Sequence, residues 1–179
     1  MNIPNALTMT RMALVPVFVA CFYLPTVWAH MIAAIVFLLA YVTDILDGQL
    51  ARRRNDVTNF GKLMDPVADK LLSGSAFIML SARGLLSPVA AITIIGREFI
   101  ISGFRLVAVQ KGKVIAASWP GKLKTVTQCV AVILALCWRY TGIGALHVAS
   151  DAVVWACVGV TVWSCADYFV KNKGMIDLK

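Results

Sequence analysis

"TDILDGQLARRRNDVTNFGKLMDPVADK", Thr43 to Lys70, sets Asp44, Asp47, Asp65 and Asp69 between two long apolar stretches. Ionised groups in such surroundings are costly unless they are paired or functional. What these four carboxylates face therefore decides how the chain folds. Asp44 and Asp47 are three residues apart, and Asp65 and Asp69 four apart, so in helices each pair shares one face. Gly48 and Gly61 remove side chains where a neighbouring helix or a ligand has to come close. Pro66 either kinks its helix or sits in the first turn.

The rest of the chain is membrane-like. Hydrophobic residues make up 60% of its 179 positions, the mean hydropathy is +0.80, and only 15% are charged. That composition predicts an all-α integral membrane protein with one domain over 1–179. A span needs about 20 residues to cross ~30 Å of hydrocarbon. Six stretches meet or approach this: 11–28, 30–54, 62–82, 86–110, 119–139 and 146–170. Their joints carry turn or polar signals, including Pro25, "RRRND", "RGLLSP", "KGK", "TGIG" and "ASD". Residues 1–10 are expected to form a short interfacial helix, with Pro4 near its first turn, ahead of the first span. The start has no basic run or small-residue cleavage site of a secretory signal. The cysteines, Cys21, Cys129, Cys137, Cys157 and Cys165, all lie in apolar runs without C-x-x-C spacing, and read as small buried hydrophobes.

Charge predicts direction. Arg83 and Arg139 fall on one side of the six stretches and Lys70 and Arg97 within them. The other Lys and Arg residues occupy the N-terminus, the connections after the second and fourth stretches, and the C-terminus. The positive-inside rule then puts both termini and the acidic cluster on the cytoplasmic face of a multi-pass protein. The net charge of +8 belongs to that face and suits anionic lipid head groups and phosphorylated substrates. No basic soluble domain is present to bind nucleic acid.

Counting residues inward from either end places the four aspartates at similar depth near the cytoplasmic boundary. Four carboxylates so close repel one another unless cations sit among them. Oxygen-only donors favour Mg²⁺, Mn²⁺ or Ca²⁺ over zinc, and two ions can share a bridging carboxylate, an arrangement suited to phosphate chemistry. The competing structural account pairs the acids with Arg52, Arg53, Arg54 and Lys70. No EF-hand and no P-loop pattern occurs.

Written out, the stretch is Asp44-x2-Asp47-Gly48-x2-Ala51-Arg52-x8-Gly61-x3-Asp65-x3-Asp69. It resembles, position for position, the pattern of the CDP-alcohol phosphatidyltransferase family. "NIPNALTMTR", "GREFIISGFR" and "SWPGKLKTVTQ" are similar, more loosely, to its bacterial phosphatidylglycerophosphate synthase branch. The resemblance implies a six-helix CDP-alcohol phosphotransferase-like bundle in a bacterial cytoplasmic membrane, working as a homodimer. It implies transfer of the phosphatidyl group from CDP-diacylglycerol to sn-glycerol 3-phosphate. It further implies that Asp44, Asp47, Asp65 and Asp69 hold two Mg²⁺ or Mn²⁺ ions, that Asp69 is the base, and that Gly48, Arg52 and Gly61 line the nucleotide pocket.

The acceptor's phosphate calls for cations near the acids. Arg97, deep in the fourth stretch, is the leading candidate, and Arg105, Lys122 and Lys124 extend a basic mouth. Glu98 is a possible partner of Arg97, although adjacent helical residues do not face each other. Membrane anchoring explains the two lysines equally well. Asn5 and Thr8 are candidate head-group contacts. Other acceptors (inositol phosphate, serine or phosphatidylglycerol) stay open within the family. From a different class, a divalent-cation transporter is the alternative, and it would spread its acids over several depths.

Overall fold

A computed structural model describes the backbone of residues 3–54, 59–110 and 119–172 and the surroundings of side chains 6–43, 64–109, 119 and 121–172. Among the described residues the chain is entirely helical. In chain order it runs α1 (Ile3–Cys21), α2 (Trp28–Arg54), α3 (Asn59–Ala82), α4 (Pro88–Gln110), α5 (Trp119–Thr141) and α6 (Gly144–Lys171).

The helix ends follow from local chemistry. Gly84 adopts φ +68° and closes α3 in a Schellman arrangement, with Leu85 N–H bonded to the Leu80 carbonyl and Gly84 N–H to that of Ser81. Leu80 and Leu85 are both buried, which supplies the apolar contact of that motif. Gly142, also at φ +68°, ends α5 through its N–H to the Trp138 carbonyl, 2.8 Å. Pro88 opens α4, where a missing N–H costs nothing.

One expectation is corrected, and one open alternative is decided. Residues 1–10 do not form a separate interfacial helix, because the helix that starts at Ile3 continues without a break to Cys21. Pro16 lies inside α1 and costs the Met12 carbonyl its N–H partner without ending the helix; Pro25, which also disfavours helix at Leu24, follows its end. Pro66 is not in a first turn, since α3 begins at Asn59 and encloses it. There it leaves a carbonyl one turn earlier without its usual N–H partner.

α1 packs against α2 and α3, α5 against α6, α2 and α3, and α4 against α6 and α3. The core is built largely of small residues, among them Ala33, Ala40, Ala76, Ala90, Ala131 and Ala135, wedged by Phe18, Phe37, Phe77 and Leu136. Small residues let helix axes approach closely, the packing mode of bundles in lipid. Ser150, Thr161 and Ser164 of α6 face inward, whereas Leu39, Ile92, Trp155 and Val162 face outward. An apolar exterior of this kind suits lipid, not water.

Hydroxyls of Thr43, Ser73, Thr93, Ser102 and Thr125 donate to carbonyls one turn back, so they need no solvent. Gly121–Thr141 and Gly144–Lys171 are long and apolar enough to cross a membrane, and Ala6–Cys21 and Trp28–Thr43 are shorter apolar segments. The five cysteines are free thiols, with Cys21 and Cys157 buried.

Candidate active site

One end of the bundle gathers the N-terminal halves of α1, α3 and α5 and the C-terminal halves of α4 and α6. Asp65 and Asp69 stand one turn apart on α3 with both side chains exposed. Buried Thr8 of α1 donates its hydroxyl to Asp65 Oδ1 at 2.5 Å. Thr8, expected at a head group, thus makes its described contact to a carboxylate and holds α1 against α3. Lys70 Nζ donates to the Pro66 carbonyl at 3.1 Å, so its amine is engaged on its own helix, and it has no ion pair among the described residues. Asp44, Asp47, Gly48 and Arg52 belong to α2, Gly61 to α3 and Asn5 to α1. The surroundings of these six lie outside the described residues.

Beside Asp69 a cavity of about 220 Å³ is lined by Arg97, Glu98, Arg105, Lys122, Lys124 and Tyr168. All four basic residues expected around an acceptor phosphate therefore reach one space, next to the carboxylate expected as base. Each is held differently. Arg97 Nη2 donates to Ser164 Oγ on α6 at 2.7 Å, and its Nη1 lies 3.8 Å from Glu98 Oε1. Its Nε is buried with no partner among the described residues. Lys124 is buried and ion-paired with Glu98, which also accepts from Gln128 Nε2 at 3.3 Å. Lys124 is therefore not a snorkelling anchor, and Lys122, exposed at the rim, differs from it. The Arg105 guanidinium lies over the Tyr168 ring, 5.9 Å from its centroid. Phe104 packs edge-on against the same ring.

Three contributors take roles that sequence reasoning does not reach. Glu98, by sequence a candidate partner of Arg97, makes its close ion pair with Lys124, across to α5. Ser164 and Tyr168 come from α6, far away in sequence. The Tyr168 hydroxyl is buried without a partner among the described residues and borders the cavity, so it is available to a bound molecule. The position of "WSCADYF" near the basic end of the last helix is the only hint of this in the chain.

The metal expectation can be tested against donor chemistry. Among the described residues no group of three or more His, Cys, Asp or Glu side chains is close enough to hold an ion. Two of the four expected ligands lie outside that set. The two described carboxylates, exposed and free of Lys or Arg ion pairs among the described residues, fit hard divalent cations. Asp65 retains an oxygen beyond its bond to Thr8.

The sequence profile of the CDP-alcohol phosphatidyltransferase family matches residues 1–163. A Bacillus subtilis (strain 168) protein named CDP-diacylglycerol–glycerol-3-phosphate 3-phosphatidyltransferase is 40% identical over 183 residues, covering 96% of this chain and 95% of the relative. The Salmonella typhimurium (strain LT2) protein of that name is 42% identical over 183 residues, covering 97% and 96%. That of Escherichia coli (strain K12) is 42% identical over 165 residues, covering 87% and 90%. With the acidic pair and a basic cavity on adjoining helices, and the match running through nearly all of both, the chain belongs to the CDP-alcohol phosphatidyltransferase family.

Proposed function

We infer that this chain is a CDP-diacylglycerol–glycerol-3-phosphate 3-phosphatidyltransferase, which makes phosphatidylglycerol phosphate and CMP. The names of its relatives support the reaction. The observation that carries the choice of acceptor is the cavity beside Asp69, with Arg97, Arg105, Lys122 and Lys124 around it. Serine brings no phosphate for these cations to hold, whereas glycerol 3-phosphate does.

In this reading the acceptor's phosphate sits among those cations and its hydroxyl faces Asp69. Asp69 takes the hydroxyl proton as the oxygen attacks the lipid-linked phosphorus, and CMP leaves. Ser164 and Glu98 keep Arg97 and Lys124 in place, so little side-chain ordering remains for the moment of binding. Gly48, Arg52 and Gly61 would border the cytidine diphosphate. Asp44, Asp47, Asp65 and Asp69 would hold Mg²⁺ or Mn²⁺, two ions in all. Such ions, when bound, neutralise the diphosphate and stabilise the charge on the entering and leaving oxygens. Thr8 fixes one oxygen of Asp65 and so limits its rotation.

Six spans, a cytoplasmic reaction centre with both termini on that side, and a homodimer complete the proposal. They rest on the charge distribution and on the family. The decisive experiment supplies purified protein with CDP-diacylglycerol and Mg²⁺, and with glycerol 3-phosphate, serine, inositol phosphate or phosphatidylglycerol in turn. CMP release with glycerol 3-phosphate, and with it alone, is expected. Release with serine or inositol phosphate instead would reassign the acceptor. Uptake of metal into sealed vesicles without CMP release would favour a transporter.

A further inference from the structure

The opposite end of the bundle holds a second polar cavity, of about 380 Å³, between the α1–α2 turn, the end of α3 and the last turn of α5. Along α3 the rise from Asp65 to this end is ~25 Å, so the two cavities are well separated. Phe22, Pro25, Thr26, His30, Arg83 and Arg139 line it. Arg83 and Arg139 are the two cations that the charge distribution leaves off the basic face, and both come to this one space.

Their surroundings lack a counter-charge. Arg83 Nη2 donates to the Phe22 carbonyl and its guanidinium lies 5.5 Å from the Tyr23 ring centroid. Most of its five donors are thus uncommitted among the described residues. His30 Nδ1 is buried with no hydrogen-bond partner among the described residues, its ring packed edge-on against Phe22. The acid at this end of the bundle, Asp151, is 3.7 Å from His147 and does not line the cavity.

Two guanidiniums around one space, without a carboxylate, repel a metal ion and attract an anion. The guanidinium fork matches phosphate oxygens in pairs, and His30 Nδ1 supplies a third contact. The cavity falls within the ~300–1,000 Å³ of small-ligand sites. Its place at the helix ends is the level at which lipid head groups sit. We propose that this cavity binds a phosphate group, as the diester of an anionic phospholipid or as the free anion, at a site distinct from the reaction centre.

The test uses the full chain, delipidated in detergent. Native mass spectrometry follows retention of phosphatidylglycerol against phosphatidylcholine with the same acyl chains. Separate melts compare inorganic phosphate with chloride at matched ionic strength. The wild type should retain the anionic lipid preferentially. Arg139→Gln and His30→Gln should each retain it less, roughly tenfold for a lost bond to a charged group, with CMP release unchanged. Lipid held at the reaction centre contributes equally to wild type and variants and drops out of the comparison. If phosphate raises the wild-type Tm but not that of Arg139→Gln, while both lipids are retained alike, the ligand is the free anion. Arg83 also braces the Phe22 carbonyl, so Arg83→Gln is read beside Arg83→Lys, which keeps the charge. Equal lipid retention and equal phosphate response in wild type, Arg139→Gln and His30→Gln overturn the proposal.

Discussion

In the proposed reaction Asp69 and Arg97 have separate parts, and each makes a separable prediction. Asp69→Asn keeps the shape of the side chain but cannot accept a proton, so turnover should fall by roughly 10²–10⁴-fold. The protein should stay folded and monodisperse in detergent; near-normal CMP release would remove Asp69 as the base. In the proposed site Arg97→Ala removes charge-assisted contact to the acceptor's phosphate. KM for glycerol 3-phosphate should rise roughly tenfold or more, since such bonds are worth about 1.5–3 kcal/mol, while KM for CDP-diacylglycerol changes little. Parallel rises in both would place Arg97 outside the acceptor pocket. Glu98 acts differently, through Lys124. Glu98→Gln leaves a buried ammonium unpaired, at a cost of about 3–5 kcal/mol. Adding Lys124→Met should restore most of the thermal stability but not the activity. A double-mutant cycle reads the coupling directly, and additive losses would show that the pair is not coupled.

Among the elements, α6 has the least expected role. It is the most apolar of the long helices, yet its inner face brings Ser164 to Arg97 and Tyr168 to Arg105. α3 and α4 invert that pattern. The charges that build the site, Asp65, Asp69 and Lys70 on one and Arg97, Glu98 and Arg105 on the other, also keep both helices from reading as simple apolar spans. The turns that join the helices can be probed with paired glycine substitutions. Gly84 sits at φ +68° with no atom within 4 Å of where a Cβ would stand, so Gly84→Ala costs only backbone energy, about 1–2 kcal/mol. Gly159 lies inside α6 with equal room, and Gly159→Ala should instead add about 0.5–1 kcal/mol. Thermal melts in detergent should move in opposite directions; shifts of the same sign would contradict the helix-end assignment at Gly84.

For the whole molecule, polarity is distributed by end. The basic cavity and the acidic pair share one end, and the cavity with His30, Arg83 and Arg139 occupies the other. The middle is alanine-rich packing covered by outward-facing aliphatics. In the proposed reading such an arrangement would let water and charged substrates reach the chemistry from one side while the rest stays in lipid. Removing divalent ions with EDTA should abolish CMP release, and Mg²⁺ or Mn²⁺ should restore it where Zn²⁺ does not, because the donors are oxygens. Turnover that survives chelation would end the metal assignment.

The six long helices, most of their limits and the placing of Asp65 and Asp69 one turn apart were legible in the chain, because each depends on neighbours within a few residues. Hydropathy runs set the helices, Gly84 and Gly142 stop two of them, and three- and four-residue spacings put the aspartates on shared faces. The misplaced break after residue 10 came from dividing an uninterrupted helix by composition. What residues 98 and 164 do was not legible. Which side chain of α6 meets Arg97, or which lysine of α5 meets Glu98, depends on how the helices are rotated and how closely they pack. That is set by contacts among small core residues distant in sequence. Local periodicity thus determined the elements, and only packing across helices decided which partners, Ser164, Glu98 and Tyr168, hold the cations beside Asp69.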